Sequence, residues 1–255
     1  MSQYNIFEAI FMSFYSSDLY RDVGQNWGGK IFLYLFMLML LVSAGSAIPM
    51  QISLNRIYKE NADIVMAQLP IIKITAGKLS TPEVKPFLIT LPSAKQPLLI
   101  IDTSGKYTNL TDTDGVALVT EKQIFIQHKE HETRIYQISK DYDGEYKPDK
   151  VNDYIKRFVS LAWIAIFLFL LIFYFIFRLL QALIYALIGK LYSVISGASV
   201  NYGTILQVTI MALTPALVLQ TIMEIAGHTF PHHTLAYFLI TMTYIIVGIN
   251  ANKTA

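Results

Sequence analysis

The sequence contains no cysteine, and only 15% of its 255 residues are charged. Without cysteine there is no disulfide, no thiolate metal site and no cysteine nucleophile. The compartment stays open, because oxidising and reducing environments both tolerate cysteine-free chains. A soluble domain carries roughly 25% charged residues, and the shortfall here is uneven. Fifteen of the 20 Lys and Arg, and 14 of the 18 Asp and Glu, lie between Ser53 and Arg157. The other 150 positions hold five basic and four acidic residues, too few for a soluble surface. The net charge of +2 provides no basic face for a polyanion. These shortages exclude a fully soluble enzyme, a disordered chain and a nucleic-acid binder. The sequence also has no phosphate loop, nucleophile elbow, zinc helix or dinucleotide fingerprint, so neither catalytic residues nor a cofactor is expected.

What the sequence has instead is long apolar runs. Residues 31–48 and 158–177 are uncharged and almost wholly apolar. A bilayer core of ~30 Å needs about 20 such residues in a helix, and only helix satisfies the backbone there. Residues 205–223 form a third, more polar run with Gln207, Thr214 and Pro215; residues 235–249 form a fourth. The run at 31 starts too late for a signal peptide and is expected to stay as an anchor. Residues 179–196 are harder to place. They follow the second run with only Arg178 between, and no Gly, Pro, Asn or Asp offers a turn near it. One helix over 158–196 would run about 58 Å at 1.5 Å per residue. The expectation is a long helix whose second half bends away, broken by Gly189 and ended by Gly197. That gives four crossings, with five as the alternative. Upstream, residues 5–23 have helical apolar spacing through Ile6, Phe7, Ile10, Phe11 and Phe14. They predict an amphipathic helix, lying in the membrane interface or packed on the chain's own bundle.

The insert between the first two runs is long enough for one small domain. A helix over 54–68 should end at Pro70. Six short runs then read as strands: 71–75, 86–91, 98–102, 116–120, 123–127 and 134–139. Gly105 and Gly115 fall where turns ask for positive φ. The result should be a mostly antiparallel sheet that needs the helix to pack on. Lysine and arginine counts do not decide the side of the membrane, since the rule weakens for inserts beyond ~60 residues.

Several segments carry a resemblance: Ser13-Phe14-Tyr15-Ser16-Ser17, Leu19-Tyr20-Arg21-Asp22-Val23, Trp27-Gly28-Gly29-Lys30, Leu69-Pro70-Ile71, the turn at 100–105, and Ala212-Leu213-Thr214-Pro215. In this order they resemble a bacterial family of multi-pass membrane proteins known as domain of unknown function 1189, itself distantly similar to Yip-type membrane proteins. The resemblance implies an inner-membrane location with the insert outside the cytoplasm, and it implies no activity. The expected architecture is thus an integral membrane α-helical bundle carrying an inserted small α+β soluble domain. Residues 1–30 form a cytoplasmic amphipathic leader, 31–52 the first transmembrane helix, 53–157 the extracytoplasmic insert and 158–255 the C-terminal transmembrane bundle.

Chemistry-bearing groups are few. Asp102-Thr103-Ser104-Gly105 has one residue too many for an aspartic-protease loop and reads as a turn. Asp112-Thr113-Asp114-Gly115 lacks the downstream Glu of a calcium loop. His128 with His131, and His228, His232 and His233 around Pro231, read as loop histidines rather than zinc ligands. In the C-terminal apolar region, Arg178 and Glu224 are either interfacial charges or a buried pair. Thr214-Pro215 predicts a kink, or an interrupted helix of the kind that builds transporter sites, with Thr214 or Gln207 satisfying the carbonyl that proline frees. Three functions remain: a non-enzymatic scaffold, sensor or accessory subunit meeting an envelope or membrane partner; a component of a small-solute transporter or channel, which would call for a homo-oligomer; and a lipid-handling protein of Yip-like type. All three have the lipid bilayer as a partner.

Overall fold

A computed structural model describes residues 2–129, 132–228 and 231–253. The chain divides into two compact units, Met1–Gln51 with Trp163–Ala255, and Ile52–Ala162.

The first unit opens with Asn5, whose side chain accepts the N–H groups of Phe7 and Glu8 at 3.0 and 2.9 Å. Glu8 accepts the Asn5 N–H in return, a reciprocal cap that starts α1 (Ile6–Met12). The single helix expected over 5–23 is broken. Ser13 donates its hydroxyl to the Ile10 carbonyl at 2.7 Å, competing with the helix ladder. Ser16 then caps α2 (Ser17–Asp22) by accepting the Leu19 N–H, and a π-helical turn (Val23–Trp27) follows. Ala9, Leu19, Tyr20, Val23 and Trp27 are buried in the core of this unit, whereas Phe7, Phe11 and Tyr15 stay exposed.

Among the described residues, four helices are long and apolar enough to cross a membrane: α3 (Lys30–Gln68), α4 (Pro148–Ile195), α5 (Tyr202–Ile225) and α6 (His233–Ala251). Two expectations are corrected here. The helix over 54–68 is the continuation of α3, not a separate element. Residues 179–195 belong to α4, which runs unbroken through Gly189 rather than breaking there, so the four long helices expected are found and the alternative of five is not. Gly189 is a packing position: a Cβ there would come within 2.9 Å of Ile205 and 3.0 Å of Ile245. α4 ends after Ile195, where Gly197 takes φ +66° and the Ala198 N–H reaches back to the Ser193 carbonyl at 2.8 Å.

α5 sits at the centre of this unit. Ile205 and every residue from 208 to 217 are buried, as a helix apolar on all sides requires. Tyr34 meets Thr214 and Ser46 meets Glu224, so α3 runs parallel to α5. Arg178 meets Gln220 and Lys190 meets Val200, so α4 returns antiparallel. α6 also returns, with Gly248 closely packed on Val208 and Tyr20. Its last turn is tied to the leader: Arg21 donates to the Ala251 carbonyl at 2.9 Å and Asn252 to the Tyr20 carbonyl at 2.9 Å. α4 carries the outer surface, with Phe169 67% and Leu191 62% exposed.

The second unit holds the end of α3, two sheets and the start of α4. β1 (Ile72–Thr75) pairs with β2 (Lys78–Ser80) and, after a long excursion, with β8 (Gly144–Tyr146). The excursion is a five-stranded sheet in the order β3 (Pro86–Ile89), β4 (Leu99–Asp102), β5 (Ala117–Val119), β6 (Gln123–Lys129), β7 (Glu132–Gln137). Every pair is antiparallel except β4 with β5. Val65 and Leu69 pack against Leu79, Ile89 and Ile101, the helix-on-sheet cover that the insert needs. Gly105 has φ +77° as its turn demands. Gly115 does not take positive φ; its bare Cα instead lets Ile100 approach, where a Cβ would sit 2.9 Å from that side chain.

Candidate functional site

In the first unit, polar side chains on α3, α4 and α5 meet in a ladder. Arg178 donates Nη1–H to Gln181 Oε1 at 2.6 Å and Nη2–H to Gln220 Oε1 at 3.0 Å. Gln220 turns its amide nitrogen to Glu224 Oε1 at 2.7 Å, and Ser46 donates to Glu224 Oε2 at 3.2 Å. The antiparallel register of α4 and α5 puts Arg178 level with Gln220, and the helical i, i+4 spacing puts Glu224 one turn on. The two charges are thus joined through one amide. Arg178 makes no direct ion pair among the described residues; half-buried, it is hydrogen-bonded as such a charge requires, while Glu224 is exposed.

Beside this ladder lies a cavity of about 570 Å³ between α4, α5 and α6. Leu213, Ala216 and Leu217 of α5 form its buried floor, and Leu180 and Ile184 of α4 its exposed rim. Arg178, Gln181 and Gln220 open into it from the ladder, and His233 and Thr234 line it from the start of α6.

Of the residues singled out from the sequence, Arg178 and Glu224 are therefore brought together. Thr214 lies elsewhere on α5, sharing a 2.7 Å hydrogen bond with the buried Tyr34 hydroxyl rather than turning to a carbonyl freed by Pro215. α5 continues through Pro215 to Ile225. Gln207 does not serve Pro215 either, and its Oε1 is buried without a hydrogen-bond partner among the described residues. In the second unit, Asp102 accepts the N–H groups of Ser104 and Tyr107, both at 2.7 Å, and closes a turn. Burial would raise its pKa, but these bonds outweigh it and hold the carboxyl below its ordinary range. His128 lies 3.1 Å from the Arg134 guanidinium; His131 lies outside the described residues.

Sequence reasoning missed Asp22, which is only 4% exposed. It accepts hydrogen bonds from Asn26 at 2.7 Å, from the Trp27 indole at 2.9 Å and from the Gln3 N–H at 3.0 Å. Burial pushes its carboxyl upward, and this set of donors outweighs burial and leaves the pKa below the usual carboxylate value. Lys30 completes the cluster, with its ammonium 4.2 Å above the Trp27 ring and bonded to the Tyr4 carbonyl. The spacing Asp22, Asn26, Trp27 was the available signal, since i, i+4 neighbours share a helix face.

The fold and the ladder define a class of protein: an apolar four-helix bundle with polar contacts turned inward and a small α+β unit inserted between its first two long helices. Within that class, the chain belongs to the family described as Protein of unknown function (DUF1189), which matches it over residues 7–249. No curated protein and no solved structure matches it.

Proposed function

We propose that this chain is a non-enzymatic, multi-pass membrane protein of the inner membrane whose inserted unit meets a partner in the envelope, as a scaffold, sensor or accessory subunit. Support for the membrane comes from α4, whose apolar side chains face outward while Tyr34 and Thr214 pair in the core and Arg178 pairs with Gln220. A soluble monomer rarely exposes an apolar surface of that extent. If α3 and α4 cross the bilayer, the unit between them lies on the opposite side from the leader.

The observation that carries the partner reading is β7. It is the edge of the five-stranded sheet, exposed along all six residues, and it presents Ile135 and Tyr136 to solvent. An open edge offers unpaired backbone groups to an added strand. Two experiments test the reading. Single cysteines at Lys106 and Ser199, in a chain with none of its own, should react with an impermeant thiol reagent on intact cells at Lys106 only. Pull-downs in gentle detergent should recover a reproducible partner from wild type and lose it in Ile135→Lys. Failure to recover any partner, or recovery equal in both, refutes the docking role. A second reading, a protein that handles lipid, is favoured by the cavity at Arg178.

A further inference from the structure

The cavity between α4, α5 and α6 is graded along its length. At the end nearer the C-terminus of α5 its lining is Arg178, Gln220 and His233. Leu213 lies seven residues back from Gln220, about 10 Å along the helix axis, and with Ile184 and Phe238 it makes the opposite end largely apolar. The floor is buried and the α4 rim exposed, so the cavity opens sideways past Leu180 and Ile184. Its rim meets an apolar groove of about 320 Å³ on the outer face of α4, lined by Phe169, Phe173 and Ile176, through the shared Phe177 and Leu180. A polar head and apolar tails, entered from the side, describe an amphiphile dissolved in a bilayer.

The charge of the head follows from the lining. No carboxylate lines the cavity among the described residues. Glu224 stands behind Gln220 and is already engaged by Gln220 and Ser46. The guanidinium has five N–H donors, of which Gln181 and Gln220 each take one. A zwitterionic headgroup would find no carboxylate in this lining to pair with its ammonium, whereas a phosphate finds a planar, delocalised cation suited to it. We infer that this cavity binds an anionic phospholipid taken laterally from the bilayer, with its phosphate on Arg178, one acyl chain along Ile184, Leu213 and Phe238, and the other on the α4 groove. The inference rests on the reading that the four helices cross the membrane, and it deepens the lipid-handling function.

The test uses the full chain in mild detergent, titrated with phosphatidylglycerol or with phosphatidylcholine of the same chains, bound lipid being counted by native mass spectrometry. Wild type should retain phosphatidylglycerol at least about tenfold more strongly than phosphatidylcholine. Arg178→Gln should lower phosphatidylglycerol affinity by about tenfold or more, the scale of one charged hydrogen-bonding group, and Arg178→Lys should keep the preference. Equal retention of the two lipids, an unchanged Arg178→Gln, or displacement of phosphatidylglycerol by millimolar inorganic phosphate overturns the site. Should Arg178→Gln fail to purify as a single species, Ile184→Trp at the exposed rim decides. Lost retention at unchanged melting temperature supports the site, and unchanged retention overturns it. Failure of the membrane reading is separately visible, as recovery of wild type in the soluble fraction without detergent.

Discussion

Replacing Gly189 by alanine adds one methyl group where α4 packs tightly on α5 and α6. Two effects of opposite sign compete. Alanine favours an exposed helix interior over glycine by up to about 1 kcal/mol. Against that, the new Cβ would stand 2.9 Å from Ile205 Cγ2, 3.0 Å from Ile245 Cγ2 and 3.3 Å from Ile249 Cδ1. The first two are branch methyls on helical isoleucines, whose χ1 is held in one rotamer, so neither swings aside cheaply. Overpacking of this kind costs about 1–3 kcal/mol. The net expectation is a loss of about 1 kcal/mol for Gly189→Ala and more for Gly189→Val. Reversible SDS unfolding of the full chain in mixed micelles, followed by tryptophan fluorescence from Trp27 in the core of the same unit, reads the difference. If Gly189 were instead a flexible break in α4, alanine would stabilise the protein. A Gly189→Ala variant more resistant to SDS than wild type would therefore refute the packing argument.

Further expectations concern the polar contacts. Asp22→Asn should lose about 2 kcal/mol at pH 7, since one amide oxygen cannot replace a carboxylate that accepts several donors. The folded pKa is depressed, so this stabilisation is complete above the ordinary Asp value of about 3.9 and lost as pH falls through the lower folded value. The gap between wild type and Asp22→Asn, measured by unfolding at several pH values, should narrow only below about pH 4. A double-mutant cycle of Tyr34→Phe with Thr214→Val should give a coupling of about 0.6 kcal/mol, the average for such bonds between membrane helices, and a coupling of zero would deny the Tyr34–Thr214 bond. In the second unit, Asp143 accepts the N–H groups of Ala76 and Gly77 at 2.6 and 3.0 Å. Asp143→Ala should raise hydrogen exchange at those two amides while leaving the five-stranded sheet protected, and the same two bonds lower the Asp143 pKa, so wild-type protection there should fade only in acid.

The helices and the strands were legible to different depths. The apolar runs at 31–48, 158–177, 205–223 and 235–249 each fall within one of the four long helices, because crossing-length apolar runs leave little freedom of interpretation. What the pattern could not resolve was residues 179–196, where Gly189 looks like a break until Ile205 and Ile245 are seen to close on it. β3 to β7 were readable from apolar alternation and turn residues. β2 and β8 were not, since Lys78–Ser80 and Gly144–Tyr146 are three-residue, mostly polar strands that exist only through their pairing with β1. The parallel pairing of β4 with β5 depends on a crossover that local pattern does not encode. Arg178 and Glu224 were visible as rare charges. Their meeting was not, because it depends on the register between α4 and α5 and on Gln220, an amide unremarkable in sequence. Asp22 was passed over because a carboxylate in a polar leader ordinarily faces water. The family match adds membership and does not extend to the Yip-type likeness.

The tie between α2 and the end of α6 has a consequence for biosynthesis. Asn252 grips the Tyr20 carbonyl across 232 residues of chain, and Arg21 reaches Ala251 across 230. At roughly 5–20 residues per second, the ribosome delivers the second partner some ten to fifty seconds after the first. For that interval Tyr20 has neither Tyr244 to stack on nor Gly248 to lie against, and α2 has only the elements made before α6 to cover it. The leader, made well before α6, is thus among the last parts to reach its final packing, and a stalled or truncated product would display it unsealed.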